Sequence, residues 1–215
     1  MAGYLEGLAA KVALNGWAVA QVAFETFRVE AETAGWTEVS MRFGEKVVST
    51  LRPTHVDAAP ARSLSAKFGL GAQPLHTDGA HQRQPPDIIA LHSPSTNLTP
   101  TLVWKPQSDS LPEAVREGVF TVDSGRGRFY STAFTEGQGF RFDPGCMTPA
   151  ESRSRKAVNY FERAADLAHR HVWRVPGTLL LIDNRLALHA RADVEPGDIS
   201  RQIRRIAFHR KDSHS

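Results

Sequence analysis

Five short apolar runs, each closed by proline, glycine or a polar turn, limit what this chain can fold into. They are "PPDIIALHSP" (85–94), "TPTLVWKP" (99–106), "GTLLLIDN" (177–184), "ALHARADV" (187–194) and "RQIRRIAFHR" (201–210). Each has strand length, and several are rich in β-branched residues. Strands do not alternate with crossover helices, so a parallel α/β sheet is disfavoured and an antiparallel sandwich or barrel is expected. Further upstream, periodicity predicts a helix over 4–14, a strand over 16–24 and an amphipathic helix over 25–35 ended by Gly35. Residues 51–61 hold two prolines and read as a loop. "RSLSAKFG" and "QPLHTDG" read as strand material broken by Gly69 and Gly71.

The segment 108–171 has a different character. Helices are predicted at 111–117 and 149–170, with short strands in "GRFYSTAFTEGQGFRFDPGCM" between them. It reads as an insertion and, being rich in glycine, as a lid. A chain of 215 residues is long enough for one well-filled domain carrying such a lid, and we expect 1–215 to form it. With 41% hydrophobic and 23% charged residues the composition is that of a globular protein. No apolar run approaches a membrane span, and the N-terminus lacks the basic start of a signal peptide. The lone Cys146 cannot form an internal disulfide, which fits a reducing, cytoplasmic setting. The net charge of +3 is partly local to "RQIRRIAFHRK", a pattern too narrow for a nucleic-acid surface.

"PLHTDGAH" (74–81) carries the first chemical signal. On an extended chain His76 and Asp78 project from the same face, as two arms of a clamp. Two arms leave a metal under-coordinated. His189, at the end of an apolar run far downstream, can join them only through the fold, and a jelly roll permits that. Two imidazoles and a carboxylate on one side of a metal leave the other side open, the arrangement suited to non-haem Fe(II) chemistry with a co-substrate and O2.

"SLSAKFGLGAQPLHTDGAH", "LIDNRLALHARA" and "RQIRRIAF", in this order, resemble the Fe(II)/2-oxoglutarate dioxygenases of the taurine dioxygenase and clavaminate synthase type. The resemblance covers about 16–210 and is strongest at 62–105 and 173–209. It implies a double-stranded β-helix (jelly roll), mainly β with flanking helices. His76, Asp78 and His189 are then the metal ligands, with Fe(II) as cofactor and 2-oxoglutarate and O2 as co-substrates. Arg201 aligns with the arginine that binds the far carboxylate of 2-oxoglutarate, assisted by Thr101, or failing that Thr99. Arg205 aligns with a second arginine that turns toward an anionic substrate, leaving its assignment as co-substrate or substrate contact open. The carboxylate at Asp78 argues against a halogenase. The implied reaction is hydroxylation of a small polar or anionic molecule such as an amino acid or carboxylate. Arg141 is the preferred substrate contact in the insertion, ahead of Arg126 and Arg128.

Two other readings remain. One is a nucleic-acid or protein demethylase of the same chemistry; the other is a jelly roll that holds a metal without catalysis. The remaining histidines read structurally. His81 is a neighbour of the ligands or an exposed residue, His92 lies in strand material, and His169 and His171 sit where a helix runs out, favourable to its dipole. Cys146 reads as packing, and Trp104 and Trp173 as core or cavity lining.

Overall fold

The computed structural model describes residues 2–42, 44–61, 63–106 and 111–211. Two antiparallel sheets face each other. The larger has the order β1 (Trp17–Gln21), β12 (Thr178–Asp183), β4 (Ile88–Ser93), β14 (Ile203–His209), β2 (Thr37–Val39), with β3 (Val48–Leu51) also paired to β14. The smaller is β11 (His169–Trp173), β5 (Asn97–Trp104), β13 (Leu188–Arg191). Strands distant in sequence are thus neighbours in space, as the antiparallel expectation required.

Between the sheets, Ile89, Leu91, Leu180, Ile182, Ile203 and Ala207 meet Val103 and Trp173. The opposite face of the larger sheet is covered by α1 (Ala2–Asn15) and α2 (Phe24–Thr33). Leu5, Leu8, Val12, Phe24 and Phe27 pack there on Ile88, Ala90, Leu179, Leu181, Ile206 and Phe208. β4 and β12 are therefore buried on both faces, which is why they read as unbroken apolar runs instead of alternating. Phe27, fully buried, meets Trp36 and Phe208 edge-on. Phe27→Ala should destabilise the fold by about 3–5 kcal/mol, read as a lower urea midpoint at unchanged slope.

The insertion contains α4 (Glu113–Glu117), β6 (Phe120–Asp123), β7 (Arg128–Ser131), β8 (Phe134–Thr135), β9 (Gly139–Phe140), β10 (Met147–Pro149) and α5 (Ser152–Ala164). β10, β6 and β7 form a small sheet of their own. Phe120, Val122, Phe142, Ala157 and Phe161 bury against Leu102, Leu188 and Ala190 on the outer face of the smaller sheet. Glu151 starts α5 by accepting from the Ser154 and Arg153 amides, while Ser154 Oγ accepts from Glu151 N–H. The first three residues of the expected insertion, 108–110, lie outside the described residues.

Three local expectations are corrected. "SLSAKF" is not strand: Leu64–Phe68 is a one-turn helix, α3, because Ser63 Oγ accepts from the Ala66 amide at 3.2 Å and Gly69 (φ 53) closes it. "QPLHTDG" forms no continuous strand and makes a single bridge, His76 with His189. The helix expected over 149–170 ends at Ala164, and after a short 3-10 turn the chain is extended from Ala168. His169 and His171 consequently sit on β11, paired with Val103 and Thr101, and the helix-dipole explanation for them falls.

Candidate metal centre and co-substrate pocket

The "HTD" segment is pinned residue by residue. His76 and His189 exchange backbone hydrogen bonds at 2.9 and 3.0 Å, so the two imidazoles stand side by side. Thr77 N–H donates to Phe142 C=O at 2.6 Å, and Thr77 Oγ1 accepts from Phe142 N–H at 3.2 Å. Asp78 N–H donates to the side-chain carbonyl of Asn184 at 3.0 Å. The extended chain turns His76 and Asp78 to one side, as their spacing predicted. His76 Nε2 and His189 Nε2 each lie 3.7 Å from one oxygen of Asp78, and the three ligand atoms fall within 4.8 Å of one another. All three side chains are buried.

The protonation states suit a divalent cation. His76 Nδ1 lies 3.0 Å from Pro74 C=O, an acceptor only, so Nδ1 carries the proton and Nε2 presents its lone pair. Burial, and then the neighbouring His189, push the His76 pKa down, keeping the ring neutral. Burial pushes Asp78 up, but Arg205 and the two histidines outweigh it and hold its carboxyl well below the usual carboxylate range. Arg205 Nη1 reaches both Asp78 oxygens, at 3.0 and 3.1 Å. A neutral His76 imidazole and an ionised Asp78 carboxylate are donor states that metal binding requires. The set fits Fe(II), and its one-sided arrangement leaves room for further ligands.

Arg201 and Thr101 meet beside this cluster. Arg201 lies just before β14, in a turn where its N–H donates to Asp198 C=O. It is therefore not a strand residue sharing a face with Arg205 through simple alternation. Its Nη2 lies 3.4 Å from Thr101 Oγ1, which also accepts from Trp173 Nε1 at 3.2 Å. The residue is 8% exposed, and its Nε has no partner among the described residues. Burial, and then the charge of Arg191, push its pKa down to about 10, with Asp198 opposing. A buried cation with an unused donor is costly unless an anion completes it. Thr101 pairs with Arg191 and Val103 pairs with His189, so Thr101 and His189 lie two rungs apart in one sheet. Thr99 is committed elsewhere: its N–H donates to Asp198 and its hydroxyl accepts from Glu195 N–H.

Arg141 is brought near the cluster, yet its guanidinium is taken up by the backbone. Nη1 donates to Ala80 and Gln82 carbonyls at 2.7 and 2.5 Å, and Nη2 to Arg83 C=O at 2.8 Å. Arg126 and Arg128 are exposed at the β6–β7 turn. Burial, and the adjacent Asp143, push the Cys146 thiol up, away from nucleophilic chemistry. His92 faces α2, 5.4 Å from the Phe24 ring. Three contributors escaped the sequence reading. Asn184 binds the Asp78 backbone; Arg191 donates to Gly69 and Gly71 carbonyls at 2.7 and 2.6 Å and so tethers the turn leading to His76; and the Asp143 carboxylate partly opposes the lowering of the His76 and His81 pKa values that burial causes. Asn184 and Arg191 carried a hint, both standing inside "LIDNRLALHARA".

No curated protein matches this chain in sequence. The solved structure of asparagine oxygenase with Fe(II), 2S,3S-3-hydroxyasparagine and succinate is similar in fold, with a TM-score of 0.73, 15% identity, and coverage of 96% of this chain and 78% of that one. The non-heme iron oxygenase OrfP with Fe, succinate and (3S)-hydroxy-L-Arg is also similar, at TM-score 0.70, 14% identity and coverage of 98% and 81%. OrfP with Fe and alpha-ketoglutaric acid gives TM-score 0.65 at 15% identity, over 97% and 80%. The family model described as taurine catabolism dioxygenase TauD, TfdA family matches residues 96–207, more than half of the chain. The chain belongs to the TauD/TfdA family and is a 2-oxoglutarate-dependent dioxygenase with a jelly-roll core and a His-Asp-His iron site.

Proposed function

We propose that this enzyme hydroxylates a small α-amino acid, with His76, Asp78 and His189 holding the iron and Arg201 and Thr101 holding 2-oxoglutarate. The observation that carries the reading is the buried Arg201 with an unused Nε, beside Thr101, which lies two residues along β5 from the partner of His189. Arg201 offers a planar fork to the far carboxylate, and Thr101 adds a hydroxyl. Iron, when bound, supplies the sites for 2-oxoglutarate and O2 and the oxidising chemistry between them. The chain's own share is placement: two imidazoles, a fixed carboxylate, and apolar walls at Leu91, Val103 and Ile203 that keep water out.

For the substrate, Arg205 and Asp143 offer charges of opposite sign beside the ligands, a pair that suits the carboxylate and ammonium of an amino acid. The hydroxylated amino acids named with asparagine oxygenase and OrfP support the same class. We assign Arg141 to bracing the loop 80–83 and not to substrate, because its donors already serve three carbonyls. The cover over the site is assigned to the insertion, and hydrogen exchange around 124–139 should slow when co-substrate and substrate are both present. No described helix is long and apolar enough to cross a membrane, and the lone thiol supports a cytoplasmic setting.

The test is a panel of amino acids and small carboxylates scored for succinate release coupled to a gain of one oxygen. An α-amino acid should give both together. Coupled turnover only with methylated nucleic acid or protein would replace this reading by demethylation, and absence of succinate from every candidate would favour the non-catalytic metal binder.

A further inference from the structure

The rung between His76 and His189 is the last that the backbone supplies to the "HTD" segment. Two residues on, where a continuing strand would pair again, a side chain takes the place of a strand. Asn184 Oδ1 accepts from Asp78 N–H at 3.0 Å, and Asn184 Nδ2 donates to Asp78 C=O at 2.9 Å. An amide side chain thus copies both hydrogen bonds of a ladder pair. Nδ2 donates a second time, to Pro86 C=O at 2.9 Å, and Asn184 N–H donates to Asp87 C=O at 2.8 Å.

Asn184 is fully buried, with both side-chain amide hydrogens used. Its own position is fixed by the turn after β12, where Asp183 Oδ1 accepts from the Arg185 and Leu186 amides at 3.0 and 3.1 Å. That turn leads directly into β13 and His189. One residue therefore ties the segment bearing Asp78 to the segment bearing His189, at a point where the two backbones no longer pair.

We infer that Asn184 is a positioning residue for the metal centre, setting the direction of the Asp78 carboxylate relative to the two imidazoles. The inference rests on the assignment of His76, Asp78 and His189 as ligands. Apolar packing alone would hold the turn in place but would not fix the Asp78 peptide plane, and that plane decides where the carboxylate points. Groups that orient metal ligands typically carry about 10- to 100-fold of metal affinity.

The test uses the purified full chain and Co(II) alone, titrated anaerobically without 2-oxoglutarate, with the visible d–d bands as readout. Asn184→Ala and Asn184→Ser should weaken Co(II) binding at least about tenfold and change the band shape at saturation. A merely structural role would lower the melting temperature while leaving the saturated spectrum and the affinity as in wild type, and that result overturns the inference. Should both variants fail to fold, Asn184→Asp decides. It keeps the volume and the acceptor for Asp78 N–H but loses both donors, so an altered saturated spectrum supports the inference and a wild-type one overturns it. Asp78→Ala and His76→Ala run alongside. Wild-type affinity in these two would instead remove the ligand assignment on which the inference stands.

Discussion

Asp78→Ala should abolish succinate release and lower Fe(II) affinity by more than about 100-fold, beyond what loss of an orienting neighbour costs. Two consequences of the structure combine in this result. The only anionic donor of the cluster disappears, leaving two imidazoles to hold the cation. Arg205, whose Nη1 lies 3.0 Å from Asp78, loses its counter-ion at the same stroke and repels an incoming cation. Anaerobic titration with Fe(II) and excess 2-oxoglutarate checks both, because the metal-to-co-substrate charge-transfer band requires the assembled site. A normal band in the variant would mean that the carboxylate lies outside the coordination sphere. Arg205→Gln separates the two contributions: it keeps the donor set whole, so the band should persist while coupled substrate oxidation falls.

The parts of this site that were legible in the sequence depend on local geometry or on order along the chain. His76 and Asp78 share a side because extended residues two apart always do, and the arginines follow His189 on the next long apolar run. Antiparallel pairing of β13 and β5, which the turn-bounded runs already implied, brings Thr101 close to His189, and Arg201, just before β14 of the facing sheet, reaches Thr101. What stayed hidden is long-range hydrogen bonding by side chains whose type does not announce a partner. Asn184 could as well have capped its own turn, and nothing local reveals that its amide reaches a backbone 106 residues away. Arg141 shows the opposite failure. Its charge suggested an anion, but the backbone carbonyls of residues 80–83 compete for the same donors.

The secondary-structure errors have equally physical causes. Five residues of α3 are too few for periodicity to register, so the Ser63 cap was the only signal that could have announced it. His169 and Arg170, which open "HRHVW", were absorbed into the preceding helix although that run alternates, because α5 has a strong apolar stripe that ends only at Ala164. The placement of His169 and His171 on a barrel strand follows from that boundary and from nothing chemical about the histidines.

Arg201→Gln should raise the 2-oxoglutarate dissociation constant by about 30-fold or more, while Fe(II) binding stays near that of wild type. Arg201 is 8% exposed, and among the described residues its only side-chain hydrogen-bond partner is Thr101 Oγ1, at 3.4 Å. Its charge is therefore available to a bound carboxylate and little screened by water. Losing a charge-assisted bidentate contact to a buried carboxylate costs on the order of 2–5 kcal/mol, since the ligand charge is left unpaired. At about 1.4 kcal/mol per tenfold, the lower end of that range already gives roughly 30-fold. Arg201→Lys should recover part of the affinity by restoring charge without the fork. Thr101→Val, which removes a hydroxyl but no charge, should cost far less. Arg205→Gln, acting on Asp78 and not on this pocket, should leave 2-oxoglutarate binding within a few-fold. Titration of the charge-transfer band with 2-oxoglutarate at saturating Fe(II) measures all four variants on one scale. A large loss in Arg205→Gln with none in Arg201→Gln would exchange the roles of the two arginines, and unchanged affinity in both would place the co-substrate carboxylate elsewhere in the barrel.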